Sequence, residues 1–212
     1  MKSTILAACL LVAFFADVAR SQRAPCPEDM VIAREGVCID RYEWPNKQGV
    51  KPLVYATGLE DDRWNEVNEA TLLCATVHKR VCNKTEWQHA CGDKYPYGQT
   101  FDPTACNTEK RYRKVDEAKV DKYDKKELAR LDQSSPAGSY EKCRSPSGAY
   151  DMVGNAEEWV LCDEGKYGWC LMGRYWGERG SCSFVVTKHH PRWHFYETGF
   201  RCCKDANTDE EN

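Results

Sequence analysis

The residues best suited to chemistry in this chain are its thirteen cysteines. Thiolates can hold soft metals, attack as nucleophiles or be consumed as disulfides, and count and spacing separate these roles. Cys9 lies in the first apolar stretch. The other twelve are Cys26, Cys38, Cys74, Cys82, Cys91, Cys106, Cys143, Cys162, Cys170, Cys182, Cys202 and Cys203. None forms a C-x-x-C pair, and the adjacent Cys202 and Cys203 are poorly placed to chelate one ion together. Neighbours on an extended chain point to opposite sides, so these two need different partners. An even count of this kind reads as up to six disulfides in an oxidising compartment. Cys26–Cys38 is the simplest local bridge.

Histidine is the next candidate. His189, His190 and His194 cluster near Trp193 and Tyr196, a combination able to hold iron or copper. Pro191 lies between His190 and His194 and opposes a helix that would align them. With Tyr175, Trp176 and Trp193, the same histidines outline a ligand groove for a peptide or a glycan. The competing reading for each aromatic is core packing. His78 and His89 fall on helical sequence without a matching ligand and read as surface or packed residues.

These side chains must be positioned by short elements. Lys2 followed by the apolar run Ile5 to Phe15 and by Ala19-Arg20-Ser21 reads as a signal peptide over residues 1–21. The run is too short to span a bilayer, and nothing after Phe15 is apolar enough to do so. The expected location is secreted, extracellular or periplasmic. Residues 22–204 form one domain, and 205–212 are an acidic, disordered tail. A net charge of −3 gives no basic surplus for nucleic acid.

Alternation at Val31, Val37 and Ile39 predicts short strands. The spacing of Val67, Ala70, Leu73, Cys74 and Val77 predicts one face of a helix. Asn83-Lys84-Thr85-Glu86 fits a capping box opening a second helix, with Trp87 and Cys91 on its buried face. The same Asn83 heads a glycosylation sequon, and the cap is the favoured reading. Residues 109–130 mix both charges and read as a solvated loop insertion with one helical turn. From 136 to 203 the chain is rich in Gly, Trp, Tyr and Cys, which suits a turn-rich region held by bridges.

Several blocks occur in order: Cys38-Ile39-Asp40-Arg41-Tyr42-Glu43-Trp44-Pro45-Asn46; Lys79-Arg80-Val81-Cys82 leading to Glu86-Trp87; and Tyr95-Pro96-Tyr97-Gly98. Then come Pro136-Ala137-Gly138-Ser139, the run Tyr150-Asp151-Met152-Val153-Gly154-Asn155-Ala156-Glu157-Glu158-Trp159, and Gly199-Phe200-Arg201-Cys202-Cys203. Together they resemble the formylglycine-generating enzyme (sulfatase-modifying factor) domain over residues 26–203. The resemblance implies a disulfide-rich α+β fold, C-type-lectin-like, with little regular secondary structure. It also implies that Cys74 pairs with Cys202, and Cys91 with Cys182. Cys106 with Cys143, Cys162 with Cys170 and Cys82 with Cys203 would use the remainder, one choice among several open pairings.

Enzymes of that family oxidise a substrate cysteine with copper(I) held by two thiolates, a soft ion on soft ligands. The corresponding stretch here, Gly173 to Cys182, contains one cysteine, and that one is matched to a disulfide. Copper is therefore not expected. The function expected from the resemblance is an extracellular binding or structural module that has lost cysteine-oxidase activity. The alternative is a metal-dependent oxidoreductase using the His189/His190/His194 region. The resemblance also implies structural calcium, held by the side chains of Asp151 and Glu158 and the carbonyls of Gly154 and Ala156. Asn107 matches a ligand of a second calcium site. Hard oxygen ligands in a turn-rich segment suit that ion. The family commonly has Trp where this chain has Glu157.

Overall fold

The alternating residues of the first segment fold into a hairpin. Strands β1 (Met30–Arg34) and β2 (Val37–Asp40) pair antiparallel, and Gly36 takes a positive φ of 74° in the turn between them. This is a computed structural model, which describes residues 26–54, 66–191 and 195–207. Helix α1 (Glu66–Thr76) buries Val67, Ala70 and Cys74. Val77 was expected on that face but lies beyond the helix and is exposed, because His78 turns left-handed at φ 55° and stops it. Strand β3 (Arg80–Val81) and helix α2 (Lys84–Cys91) follow. Asn83 caps α2 by a full capping box: its side chain accepts from Glu86 N at 2.9 Å, and Glu86 Oε2 accepts from Asn83 N at 2.9 Å.

Strands β4 (Glu157–Leu161), β5 (Trp169–Met172), β6 (Val185–Val186), β7 (Thr198–Gly199) and β8 (Cys202–Asp205) complete two four-stranded sheets. One runs β1-β2-β8-β3 and the other β6-β5-β4-β7, with β4 and β7 parallel. Asp205 pairs with Val37, so the domain extends to that residue, one past the expected boundary. Residues 1–21 and 208–212, where a signal peptide and most of the tail were expected, lie outside the described residues. No helix among the described residues is long and apolar enough to cross a membrane.

Six disulfides tie these elements together: Cys26–Cys38, Cys74–Cys202, Cys82–Cys203, Cys91–Cys182, Cys106–Cys143 and Cys162–Cys170. Strand β8 sits between β2 and β3, and its first two residues bond to different elements. Cys202 reaches α1 and Cys203 reaches the residue after β3, as opposite-facing neighbours must.

The charged insertion departs from the solvated loop expected. It forms two short helices, α3 (Glu117–Val120), capped by Asp116, and α4 (Lys125–Leu131), capped by Asp124. Val120 and Leu131 are buried against Trp176 and Tyr196, with Val115 and Leu128 beside them. Sparse apolar residues among many charges gave too weak a period to read, yet they suffice to seat the segment.

The Cys74–Cys202 bridge closes a loop across a sequence separation of 128, for which chain entropy gives about 4–5 kcal/mol. Replacing both cysteines with Ser should lower unfolding stability in urea by about that amount. A loss under about 1 kcal/mol would mean that packing alone secures α1 against β8.

Candidate functional site

The Asp151 to Trp159 run is buried along its whole length. Its backbone is irregular: Asp151, Gly154 and Asn155 all have positive φ, at 57°, 78° and 56°. A Cβ at Gly154 would lie 2.4 Å from the backbone oxygen of Asn107, so only glycine fits there. Asn155 holds the turn. Its Nδ2 donates to Glu43 Oε2 at 2.5 Å, and its Oδ1 accepts from Asn107 Nδ2 at 2.9 Å and Ser135 N at 2.8 Å.

Beyond that turn sits Arg201, fully buried. Its Nε donates to Glu158 Oε2 and its Nη2 to Glu158 Oε1, both at 2.7 Å. Nη2 also donates to Tyr150 O, and Nη1 to Asp40 O. Glu158 Oε2 accepts a further bond from Trp87 Nε1 at 2.8 Å. Burial pulls the Arg201 pKa down, but Glu158, Glu43 and Asp151 outweigh it, and the net shift is upward. Burial likewise lifts the Glu43 carboxyl well above its usual range, reinforced by Asp151 and Glu158. Asp151 rises to about 6 through burial, opposed by the Gly138 N–H and by Arg201.

The expected calcium ligands are only partly brought together. Both oxygens of Glu158 are engaged by Arg201 and Trp87, so this carboxylate does not fit the calcium set drawn with Asp151, Gly154 and Ala156. A guanidinium at 2.7 Å opposes any second cation on those oxygens. Asp151 Oδ2 accepts from Gly138 N at 2.7 Å. Among the described residues no group of three or more His, Cys, Asp or Glu is arranged to hold a metal ion. Asn107 differs. Its Oδ1 and the neighbouring Thr108 Oγ1 are buried without a hydrogen-bond partner, two hard neutral oxygens on successive residues.

The groove residues separate. Trp176 is 1% exposed and belongs to the core against the insertion, and Lys110 N donates to its carbonyl. With Tyr112, Leu131, Tyr175 and Tyr196 it lines a partly open pocket of about 20 Å³, large enough for one water. His189 is half-buried, with its pKa lowered by burial and by Arg174. His190 is exposed, edge-on to Tyr167 at 4.6 Å. Trp193 and His194 lie outside the described residues.

The Gly173 to Cys182 loop is tightly folded. Gly173 and Arg174 have positive φ of 82° and 64°, and a Cβ at Gly180 would lie 1.8 Å from Gly173 O. The turn presents Arg174, whose Nη2 pairs with Glu178 Oε2 at 3.0 Å and whose guanidinium lies 3.9 Å from the centre of the Phe184 ring. Opposite stands Glu157, which in the sequence reads only as a replacement for a tryptophan. Burial raises its carboxyl to about 7, opposed by Arg174 and assisted by Glu178. Alternation along β4 was the available signal: Glu158 faces Arg201, so Glu157 must face the other way. Cys182 is bonded to Cys91, and every cysteine among the described residues is in a disulfide.

Residues 63–206 match the family model described as the sulfatase-modifying factor enzyme 1-like domain. The crystal structure of CarF shares the fold, with a TM-score of 0.51 and 15% identity over 81% of this chain and 87% of that one. Treponema denticola variable protein 1 aligns with a TM-score of 0.32 and 16% identity, over 59% of this chain and 47% of its own. Among curated proteins none matches the chain.

Two predictions arise from these buried charges. Replacing Arg201 with Met leaves Glu158, Glu43 and Asp151 without their cation and should cost about 3–5 kcal/mol in chemical denaturation. A cost below about 1 kcal/mol would show that the pair is dispensable. Asp40 and Asp151, near 6, and Glu157, near 7, all lie above their unfolded values of 3.8 and 4.5. Their stabilising contribution is complete below about pH 4 and is lost as pH rises towards 7. Tm followed by circular dichroism should therefore fall between pH 5 and 7.5, and Glu157→Gln should flatten the upper part of that decline. A Tm that climbs over this interval would contradict the assignment.

Proposed function

Because the chain belongs to the sulfatase-modifying factor enzyme 1-like domain family, we propose that it is a non-catalytic member acting as an extracellular binding or structural module. It has the disulfide-rich α+β fold of the formylglycine-generating enzymes. The observation supporting loss of cysteine oxidation is the state of the sulfur: all twelve cysteines among the described residues are cross-linked. A disulfide sulfur has no thiolate charge to offer copper(I), and the loop where the family keeps its copper ligands carries only Cys182, bonded to Cys91. Six bridges also suit secretion into an oxidising space, where they persist.

Calcium in this reading is structural and centres on Asn107 and Thr108 rather than on Glu158. Their two buried, unpartnered oxygens are the donor type that ion takes. Calcium bound there would cross-link the Asn107 segment to the Gly154 turn packed on it, with no chemical step assigned to it. The ligand of the module is a peptide or a glycan meeting the surface around Arg174 and Tyr175.

Incubating the purified protein with copper(I) and a Cys-x-Pro-x-Arg peptide should leave the peptide thiol intact by mass spectrometry, whereas conversion to the aldehyde would refute the reading. Millimolar calcium should raise Tm in the native protein, and Asn107→Ala should abolish that rise. An equal rise in the variant would remove Asn107 from the site.

A further inference from the structure

We propose that Asn83 carries an N-linked glycan, and that sugar and helix cap coexist because they use different atoms of one amide. The cap takes the oxygen. Asn83 Oδ1 accepts from Glu86 N at 2.9 Å, a role that the amide nitrogen cannot fill. A glycan takes the nitrogen, and among the described residues Asn83 Nδ2 makes no hydrogen bond. Glycosylation would therefore replace an N–H that holds nothing and leave the carbonyl acceptor in place. Asn83 lies in extended backbone just outside α2, at φ −88° and ψ 163°. It is half-buried, and Thr85 is exposed. Leu161, whose backbone bridges to Asn83, is 41% exposed. The site stands at the surface.

Asn83-Lys84-Thr85 is the only Asn-x-Ser or Asn-x-Thr triplet in the sequence. Transfer requires an open acceptor segment, and the folded one is closed: Trp87 N donates to Asn83 O at 3.0 Å, and Leu161 N to Cys82 O at 3.0 Å. The disulfides set how long the segment stays open. Cys82, the residue before Asn83, pairs with Cys203, and Cys91 pairs with Cys182, at sequence separations of 121 and 91. Neither bridge can close before its partner is synthesised, which at about 5–20 residues per second takes about 6–24 s for Cys203. The adjoining cysteine thus leaves the acceptor accessible during export. In the transfer, Nδ2 forms a bond to the anomeric carbon of an oligosaccharide. The bond from that carbon to a lipid diphosphate breaks, and the displaced amide proton leaves with the diphosphate. From the proposed function the inference takes only export through a disulfide-forming compartment.

The full chain secreted by cultured eukaryotic cells tests this. Peptide mass spectrometry should find hexose and N-acetylhexosamine on Asn83, and enzymatic release in heavy-oxygen water should convert that residue to a labelled aspartate. Asn83→Asp keeps an oxygen for Glu86 N, and Thr85→Ala keeps the whole cap, so both should be secreted folded and without sugar. Coexistence has its own readout. Hydrogen exchange at the Glu86 amide should agree within about twofold between the glycosylated wild type and Thr85→Ala, whereas loss of the cap would speed it about fivefold. Secreted, fully bridged wild type with bare Asn83 would overturn the proposal and leave the reading of export standing. Sugar that survives both substitutions would overturn it too, and fivefold faster exchange in the glycosylated protein would refute the shared amide. A chain retained in the cytosol with free thiols would remove the glycan and the reading of export together.

Discussion

A guanidinium withdrawn from water keeps its charge only where oxygens replace the lost hydration, and Arg201 recruits them from three separate parts of the chain. Glu158 on β4 supplies both carboxylate oxygens, β2 supplies the Asp40 carbonyl, and the turn before Asp151 supplies the Tyr150 carbonyl. Trp87 of α2 completes the arrangement by donating to Glu158. Arg201 itself leads into β8, the strand between β2 and β3. One side chain thus joins the two sheets and α2 with directional bonds. Apolar contacts could hold those elements together but would not fix their relative rotation. The wider network adds Glu43, whose carboxylate accepts from Asn155 Nδ2 and Ala156 N. Removing any member strands the others in a low dielectric.

The disulfides act at a different level. Most close long loops, and they act on the unfolded chain as much as on the folded one. A domain in which three of the eight described strands are only two residues long has little ladder hydrogen bonding to offset its conformational entropy. Covalent links between α1 and β8, between the residue after β3 and β8, and between α2 and the 173–182 loop supply what the sheets do not. Using every sulfur this way also decides the chemistry, because a cysteine cannot both staple the fold and present a thiolate. Structure and reactivity compete here for the same atoms.

The surface around Arg174 shows how an insertion changes a site. Val120 and Leu131 cover Trp176 and Tyr196, so aromatic rings that would otherwise line an open groove become the core of a small second cluster. Polar and aromatic groups at the loop mouth remain: Arg174, Tyr175, Glu178 and half-buried His189, with Glu157 behind them. Burial lifts Tyr175 to about 12, with Glu197, Glu178 and Glu157 adding to the rise, so its hydroxyl stays protonated at neutral pH and serves as a hydrogen-bonding group rather than a base.

Local signals were legible wherever neighbours in sequence are neighbours in space. The capping box at Asn83, the short strands around Val31, Val37 and Ile39, the helix face of Val67, Ala70 and Cys74, and the opposite facing of Cys202 and Cys203 all follow from short-range geometry that the residues themselves impose. Ordered motifs carried the family and hence the fold. What the sequence could not determine depended on which distant segments meet. Glu158 reads equally well as a calcium ligand until Arg201, 43 positions away, is seen to hold both its oxygens. Trp176 reads as a groove wall until the insertion covers it, and Glu157 reads as a simple substitution until Arg174 faces it at 4.0 Å. A carboxylate's role is set by the charge opposite it, and only tertiary structure chooses that charge.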